Sequence, residues 1–201
     1  MTGRALRVAV GAVLLALTCT GCGSGGAKPP TSVPSAAPSP SATYTCTPPG
    51  GTPTPCSPEQ YTQEQGQAQL AEEAQRVYRR LVSELAALQR AGGASTPSPE
   101  LAAVAGGPYL AAQQATLTRL AQYQAKVTGE VRIATLAAAT GAQAKGFETA
   151  LLACVDSTKA TVVQEGKPLT KGQLVAEVVY FRREGTALKA WDAEKADPKR
   201  C

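Results

Sequence analysis

Between Ser57 and Gly93 the chain carries one apolar stripe that only a long helix can satisfy. Leu70, Ala74, Val77, Tyr78, Leu81, Leu85 and Leu88 recur at steps of three and four, the spacing that lines up side chains on one helix face. Ser57 offers an N-cap and Pro58 a first-turn residue, while Glu59 and Gln60 fill the first turn and leave a capping box open. Gly92-Gly93 ends the run. Glu72 with Arg76, and Arg80 with Glu84, are opposite charges one turn apart on the wet side. Gly66 weakens the first turns, so the ordered helix is free to start after Ser57. A helix with one apolar face needs a partner surface, and the rest of the chain must supply it.

Two shorter helices are expected next. Ser98-Pro99-Glu100 repeats the start signal ahead of Leu101 to Ala105, and Gly106-Gly107-Pro108 breaks the chain before a helix over Tyr109 to Ala125. From Gly129 the period changes from helical steps to alternation. Val131, Ile133, Thr135 and Ala137 begin a first strand, Phe147 to Val155 a second, and Ala160 to Val163 a third. Gln164 to Pro168 reads as a turn. Gln173 to Arg183 is the strongest strand, interrupted only by Glu177 and therefore expected to be covered on both faces, and Thr186 to Trp191 follows after Glu184-Gly185. Helices first and an antiparallel meander after them make a single α+β domain over residues 57–201.

The N-terminal part has a different character. Arg4 and Arg7, the apolar Val8 to Leu17, and the small-residue exit Thr18-Cys19-Thr20-Gly21-Cys22 have the order of a secretory signal peptide over residues 1–21. The apolar stretch is well short of the roughly 20 residues that span a bilayer. Residues 22–45 read as a disordered tether of Gly, Ser, Pro, Thr and Ala, either bare or O-glycosylated. Residues 46–56 read as a Pro/Gly-rich loop unable to form helix or strand.

Cysteine usage agrees with export. Of six cysteines, Cys19 leaves with the signal, and Cys46, Cys56, Cys154 and Cys201 remain beside Cys22 as an even set for an oxidising compartment. Four cysteines allow three pairings. The favoured one joins Cys46 to Cys56 across the short loop and Cys154 to Cys201, which would hold the C-terminal residues against fraying. The chain has no histidine and no Cys-x-x-Cys pair, so no zinc site or other metal or cofactor is expected. The lack of histidine also excludes Ser-His-Asp and Cys-His catalysis and any imidazole switch. Net charge is +5 and falls to about +3 without Arg4 and Arg7. The cations are scattered along the chain, which gives nucleic acid binding no support.

Two resemblances sharpen these expectations. Thr20-Gly21-Cys22 is similar to the lipobox of bacterial lipoproteins, although Cys19 stands where that family has Leu. The resemblance implies a diacylglyceryl group on Cys22 as the mature N-terminus and a lipid-anchored place on the outer face of the cell membrane. Cys154-Val155-Asp156-Ser157, a Gly turn, a Val-rich strand, a second Gly turn with an aromatic-containing strand, and Cys201 resemble the actinobacterial lipoproteins with a nuclear-transport-factor-2-like (cystatin-superfamily) domain. That resemblance covers about Ser57 to Cys201. It implies long helices wrapped on a strongly curved, cone-like sheet of about four to five strands with a pocket between, and it admits a homodimer. Where the family has Gly-x-x-Trp-Lys in the last hairpin, this chain has Gly185, then Leu188-Lys189, with Trp191 later.

Candidate chemistry is sparse, and each candidate has an ordinary reading beside it. Asp156 is a possible general base, but a turn cap over Ser157-Thr158 is preferred. Glu177 is a possible pocket acid, but a solvent-facing place on a sheet edge is preferred. Tyr78, Tyr109, Tyr123, Tyr180 and Trp191 are candidates to line a ligand cavity, with plain core as the competing role. Arg182-Arg183 could receive an anion, with a solvated strand end preferred. The leading expectation is a non-enzymatic, lipid-anchored envelope protein that binds a small apolar ligand or a partner protein. The alternatives are an isomerase- or dehydratase-like pocket enzyme using Asp156 or Glu177, and an interaction role for the long first helix.

Overall fold

The structure is a computed structural model that describes residues 43–47 and 51–201. The signal peptide, the lipobox Cys22 and the tether up to residue 42 lie outside the described residues. No helix among the described residues is long and apolar enough to cross a membrane.

Helix α1 (Pro58–Ala91) runs for 34 residues and starts at once, without the delay that Gly66 allowed. The Ser57 hydroxyl accepts from the Gln60 N–H at 3.2 Å and the Gln60 side chain accepts from the Ser57 N–H at 2.9 Å, so the capping box is closed. Gly92 ends the helix in the left-handed conformation at φ 97°. Helix α2 (Pro99–Val104) is capped by the Ser98 hydroxyl. Helix α3 (Gly107–Gln122) stops three residues earlier than expected, because Gln124 takes φ 51° and turns the chain into a strand.

The segment read as unable to form regular structure contains two short strands. Strands β1 (Tyr44–Cys46) and β2 (Thr54–Cys56) pair antiparallel, bridged by the Cys46–Cys56 disulfide. Regular structure among the described residues therefore reaches back to Tyr44, inside the region assigned to the tether. Pro55 is tolerated because a two-stranded ribbon has only edges. Tyr44 packs on Tyr61 of α1 with ring centroids 5.2 Å apart, and Glu64 accepts from the Thr47 N–H at 2.9 Å.

The remaining strands are β3 (Ala125–Gly129), β4 (Arg132–Ala139), β5 (Thr149–Asp156), β6 (Ala160–Gln164), β7 (Lys167–Lys171), β8 (Leu174–Glu184) and β9 (Ala187–Lys195). They follow the expected antiparallel order, but they form two sheets: four strands in the order β4-β5-β8-β9 and three in the order β3-β6-β7. Strands β3 and β7 were not expected. The turn is shorter than it looked, only Glu165-Gly166 at φ 49° and 77°. A two-residue turn with both φ values positive matches the twist of a tight hairpin, so Lys167 and Pro168 already belong to β7.

The division between sheets falls at one level along the strands. Residues 130–131 separate β3 from β4, 157–159 separate β5 from β6, and 172–173 separate β7 from β8. Glycines on both neighbours allow the middle segment in. A Cβ on Gly129 would lie 2.2 Å from the Lys159 carbonyl oxygen, and one on Gly172 would lie 2.1 Å from the Ser157 carbonyl oxygen. Gly129 is moreover at φ 89°. Ser157 exchanges hydrogen bonds with Gln173 across this break: its hydroxyl donates to the Gln173 carbonyl at 2.7 Å and accepts from the Gln173 N–H at 3.0 Å.

Helices α1, α2 and α3 cover one face of the sheets. Tyr78, Leu81, Leu101, Leu117, Leu151, Val179 and Phe181 are fully or almost fully buried in the core. Of the helix-surface ion pairs expected on α1, neither Glu72–Arg76 nor Arg80–Glu84 closes. Glu84 instead accepts from the Ser98 hydroxyl at 2.9 Å, and Glu73 takes Arg183 as its partner. The opposite face of the four-stranded sheet is covered in part by Phe147, stacked on Tyr180 at 5.1 Å, with Lys145 over the Tyr180 ring. Cys154 on β5 is bonded to Cys201, and the Ala196 N–H donates to the Ala176 carbonyl at 2.9 Å. Both pairings are those the sequence favoured.

Candidate functional site

Glu177 sits in the middle of β8, between β5 and β9, on the face that meets the helices. This corrects the expectation of a solvent-facing edge position. Alternation decides it: Val179 and Phe181 on the same side of β8 are core residues. One oxygen of Glu177 accepts from the Tyr78 hydroxyl of α1 at 2.9 Å and from the Tyr109 hydroxyl of α3 at 3.0 Å. Both tyrosines are buried, at 1% and 5% exposure. Burial raises the pKa of each well above the ordinary tyrosine value, and the Glu177 charge adds to the shift. Both phenols are held as donors, which suits a carboxylate that ties two helices to the sheet.

Asp156 has a different job. One of its oxygens accepts from the Thr158 hydroxyl at 2.6 Å and from the Thr158 N–H at 3.0 Å, and the other takes the Arg132 guanidinium at 2.9 Å. The Thr158 bonds, followed by Arg132, hold its carboxyl well below the usual carboxylate range. Asp156 is a turn cap at the break between the two sheets. A carboxylate held so firmly ionised is a weak general base near neutral pH.

The remaining aromatic candidates do not converge. Tyr180 lies on the far side of β8 and donates to Glu194 at 3.1 Å. Trp191 is the extra residue of a bulge: Phe181 pairs with Ala190 while Tyr180 pairs with Asp192. Its indole lies against Gly106 and Gly107, where an added Cβ would come within 2.5 to 2.7 Å of the ring. The Arg182 guanidinium covers it at 3.8 Å. The pair Arg182-Arg183 is thus engaged rather than simply solvated. Arg183 makes a two-pronged contact with Glu73, at 3.1 and 2.6 Å, and lines a polar groove of about 580 Å³ with Glu72, Arg76 and Glu148.

A second groove, of about 410 Å³, opens where the last turn of α3 meets the three-stranded sheet. Leu120 and Tyr123 form one wall, Val162 and Leu169 the other, and Ala125 lies between them. The Gln164 amide donates to the Tyr123 carbonyl at 2.8 Å and spans the two walls. Three large apolar residues of the described chain are exposed, and two of them, Tyr123 at 61% and Leu169 at 57%, line this groove. No family model, curated protein or solved structure matches the chain. The site must therefore be judged from its own chemistry.

Sequence reasoning named Tyr123 among the candidate cavity residues and missed Leu169 and Arg119. Leu169 was hidden because Lys167 to Lys171 read as the exit of a turn. A single leucine between Pro168 and Thr170 gives no periodic signal. Of the other four aromatic candidates, Tyr78 and Tyr109 meet at Glu177, while Tyr180 and Trp191 lie elsewhere. Neither groove is lined by Tyr78, Tyr109 or Glu177.

Proposed function

We propose that this chain is an exported lipoprotein, anchored through Cys22 to the outer face of the cell membrane, whose folded domain binds a small apolar ligand or a partner protein rather than catalysing a reaction. The observation that carries the binding reading is the groove between α3 and the three-stranded sheet, where the apolar side chains of Tyr123 and Leu169 stay exposed. Exposed apolar residues gathered in a concave place favour recognition. The common break level of the strands supports the curved sheet of the nuclear-transport-factor-2-like resemblance, with the two sheets as arms of one bent meander. The test is binding of an uncharged apolar fluorophore such as Nile red to the folded domain. Saturable binding that Leu169→Asp removes supports the reading, and binding that survives this change rejects the groove as its site.

Catalysis at Glu177 is the second reading, favoured by the two tyrosine hydroxyls that meet its carboxylate. It predicts that Glu177→Gln abolishes turnover of a substrate while the fold persists. The binding reading predicts that ligand affinity is the same in Glu177→Gln and the parent protein.

A further inference from the structure

The two halves of the Cys154–Cys201 bond lie in opposite surroundings. Cys154 is fully buried, at 0% exposure, whereas Cys201 is exposed. Leu151 and Ala153 belong to the core under the helices, so alternation along β5 points Cys154 to the other face of the four-stranded sheet. The register builds an apolar ladder on that face: Ala150 opposite Tyr180, Leu152 opposite Val178, and Cys154 opposite Ala176. Phe147 closes one end of the ladder by stacking on Tyr180. Residues 196–201 close the other end, leaving β9 and crossing back over β8 to reach Cys154.

Little besides the disulfide holds this strap down. The Ala196 N–H bond to the Ala176 carbonyl is its one hydrogen bond to the sheet among the described residues, and none of its charged side chains enters an ion pair there. Its other bonds are internal. The Asp197 carboxylate accepts from the Lys199 N–H at 2.9 Å, and the N–H groups of Arg200 and Cys201 donate to the Asp197 and Pro198 carbonyls. They close a short 3-10 turn over Pro198–Arg200 that does not need the sheet beneath it. The sheet in turn keeps its ladder and its helix-side core without the strap.

We propose that Cys154–Cys201 is a redox latch: a dithiol reductant opens it at Cys201, the strap lifts, and the Cys154–Ala176 end of the apolar ladder is uncovered while the domain stays folded. In the first step a thiolate attacks the Cys201 sulfur and forms a mixed disulfide there. The electron pair of the broken bond leaves on the Cys154 sulfur, which takes a proton from water. The reductant's second thiolate then attacks the reductant sulfur of the mixed disulfide and frees Cys201, so that the dithiol gives up two electrons and becomes a disulfide. Access sets this direction. A thiolate released into apolar surroundings is the poorer leaving group, which alone would favour attack on Cys154, but the Cys154 sulfur is out of reach of solvent.

The test treats the full chain first with glutathione, a monothiol that stops at the mixed disulfide, and then with dithiothreitol. Alkylation and peptide mass spectrometry locate each sulfur's state, and hydrogen exchange is followed on the same samples. Glutathione is expected on Cys201, with Cys154 recovered as a thiol. After dithiothreitol, the Ala196 amide should lose its protection and exchange should rise over residues 174–178 and 196–201, while Val179 to Phe181 and Leu81 to Leu88 keep theirs. Oxidised glutathione should restore both the bond and the protection. The same experiment on Cys46→Ser/Cys56→Ser reads this bond alone. Glutathione on Cys154 overturns the latch, as does a bond that resists dithiothreitol until urea unfolds the chain. Exchange that rises throughout α1 and β8 on reduction, or that stays unchanged over residues 196–201, also rejects it and leaves a plain structural cross-link. None of these outcomes bears on the apolar groove.

Discussion

Two carboxylates of this chain are fixed by neighbouring hydroxyl groups, with opposite consequences for pH. Asp156 is bonded to Thr158 and Arg132, so its folded pKa lies below its unfolded one. Its contribution is complete above the unfolded value of about 3.9 and is lost as pH falls towards the folded pKa. Melting temperature should therefore fall more steeply with acid in the parent protein than in Asp156→Asn, and parallel acid profiles would contradict the cap. The Tyr78 and Tyr109 phenols at Glu177 are raised instead. Their contribution is present below the ordinary tyrosine value of about 10 and is lost only as pH rises from there. Alkaline absorbance titration should show two tyrosines that ionise together with unfolding, and Tyr78→Phe or Tyr109→Phe should each remove one. Because the removed hydroxyl leaves the carboxylate with its other donor, either change should cost about 1–2 kcal/mol.

At the level of elements, glycine positions separate freedom from necessity. Gly66 lies inside α1, in its third turn, and a Cβ there meets nothing within 4 Å. Gly66→Ala should stabilise the protein by about 0.5–1 kcal/mol. Gly129→Ala meets backbone at 2.2 Å and a positive φ, and it should destabilise by more than about 2 kcal/mol. Urea unfolding of both variants checks the pair, and similar effects of the two would contradict close strand approach at the break. The same contrast explains what could be read in advance. The limits of α1 were legible because Ser57, Pro58, Gln60 and Gly92 act locally, and β5 and β8 because they are long and apolar. Strand β3 was not, since Gln124 needs a positive φ that no sequence signal announces. Strand β7 was not, because KPLTK is wholly exposed and has no buried face to pattern. Glu177 looked like an interruption of a strand because its two partners are 99 and 68 residues away.

For the whole molecule, the disulfides and the proposed lipid belong to one account of where the chain works. The Cys154–Cys201 bond spans 47 residues, which in the chain-entropy picture stabilises by up to about 4 kcal/mol. Replacing both cysteines by alanine should cost about 2–4 kcal/mol in urea unfolding. Replacing Cys46 and Cys56 should mainly loosen the β1–β2 ribbon at the start of α1, seen as faster proteolysis there with little change in global unfolding. Intact-mass spectrometry of the protein extracted from its native membrane tests the central claim most directly. The account predicts a chain that begins at Cys22, carries a diacylglyceryl adduct and is four hydrogens lighter than its reduced form. A water-soluble chain with an unmodified Cys22, or one whose Cys46, Cys56, Cys154 and Cys201 all take up alkylating reagent without prior reduction, would contradict it.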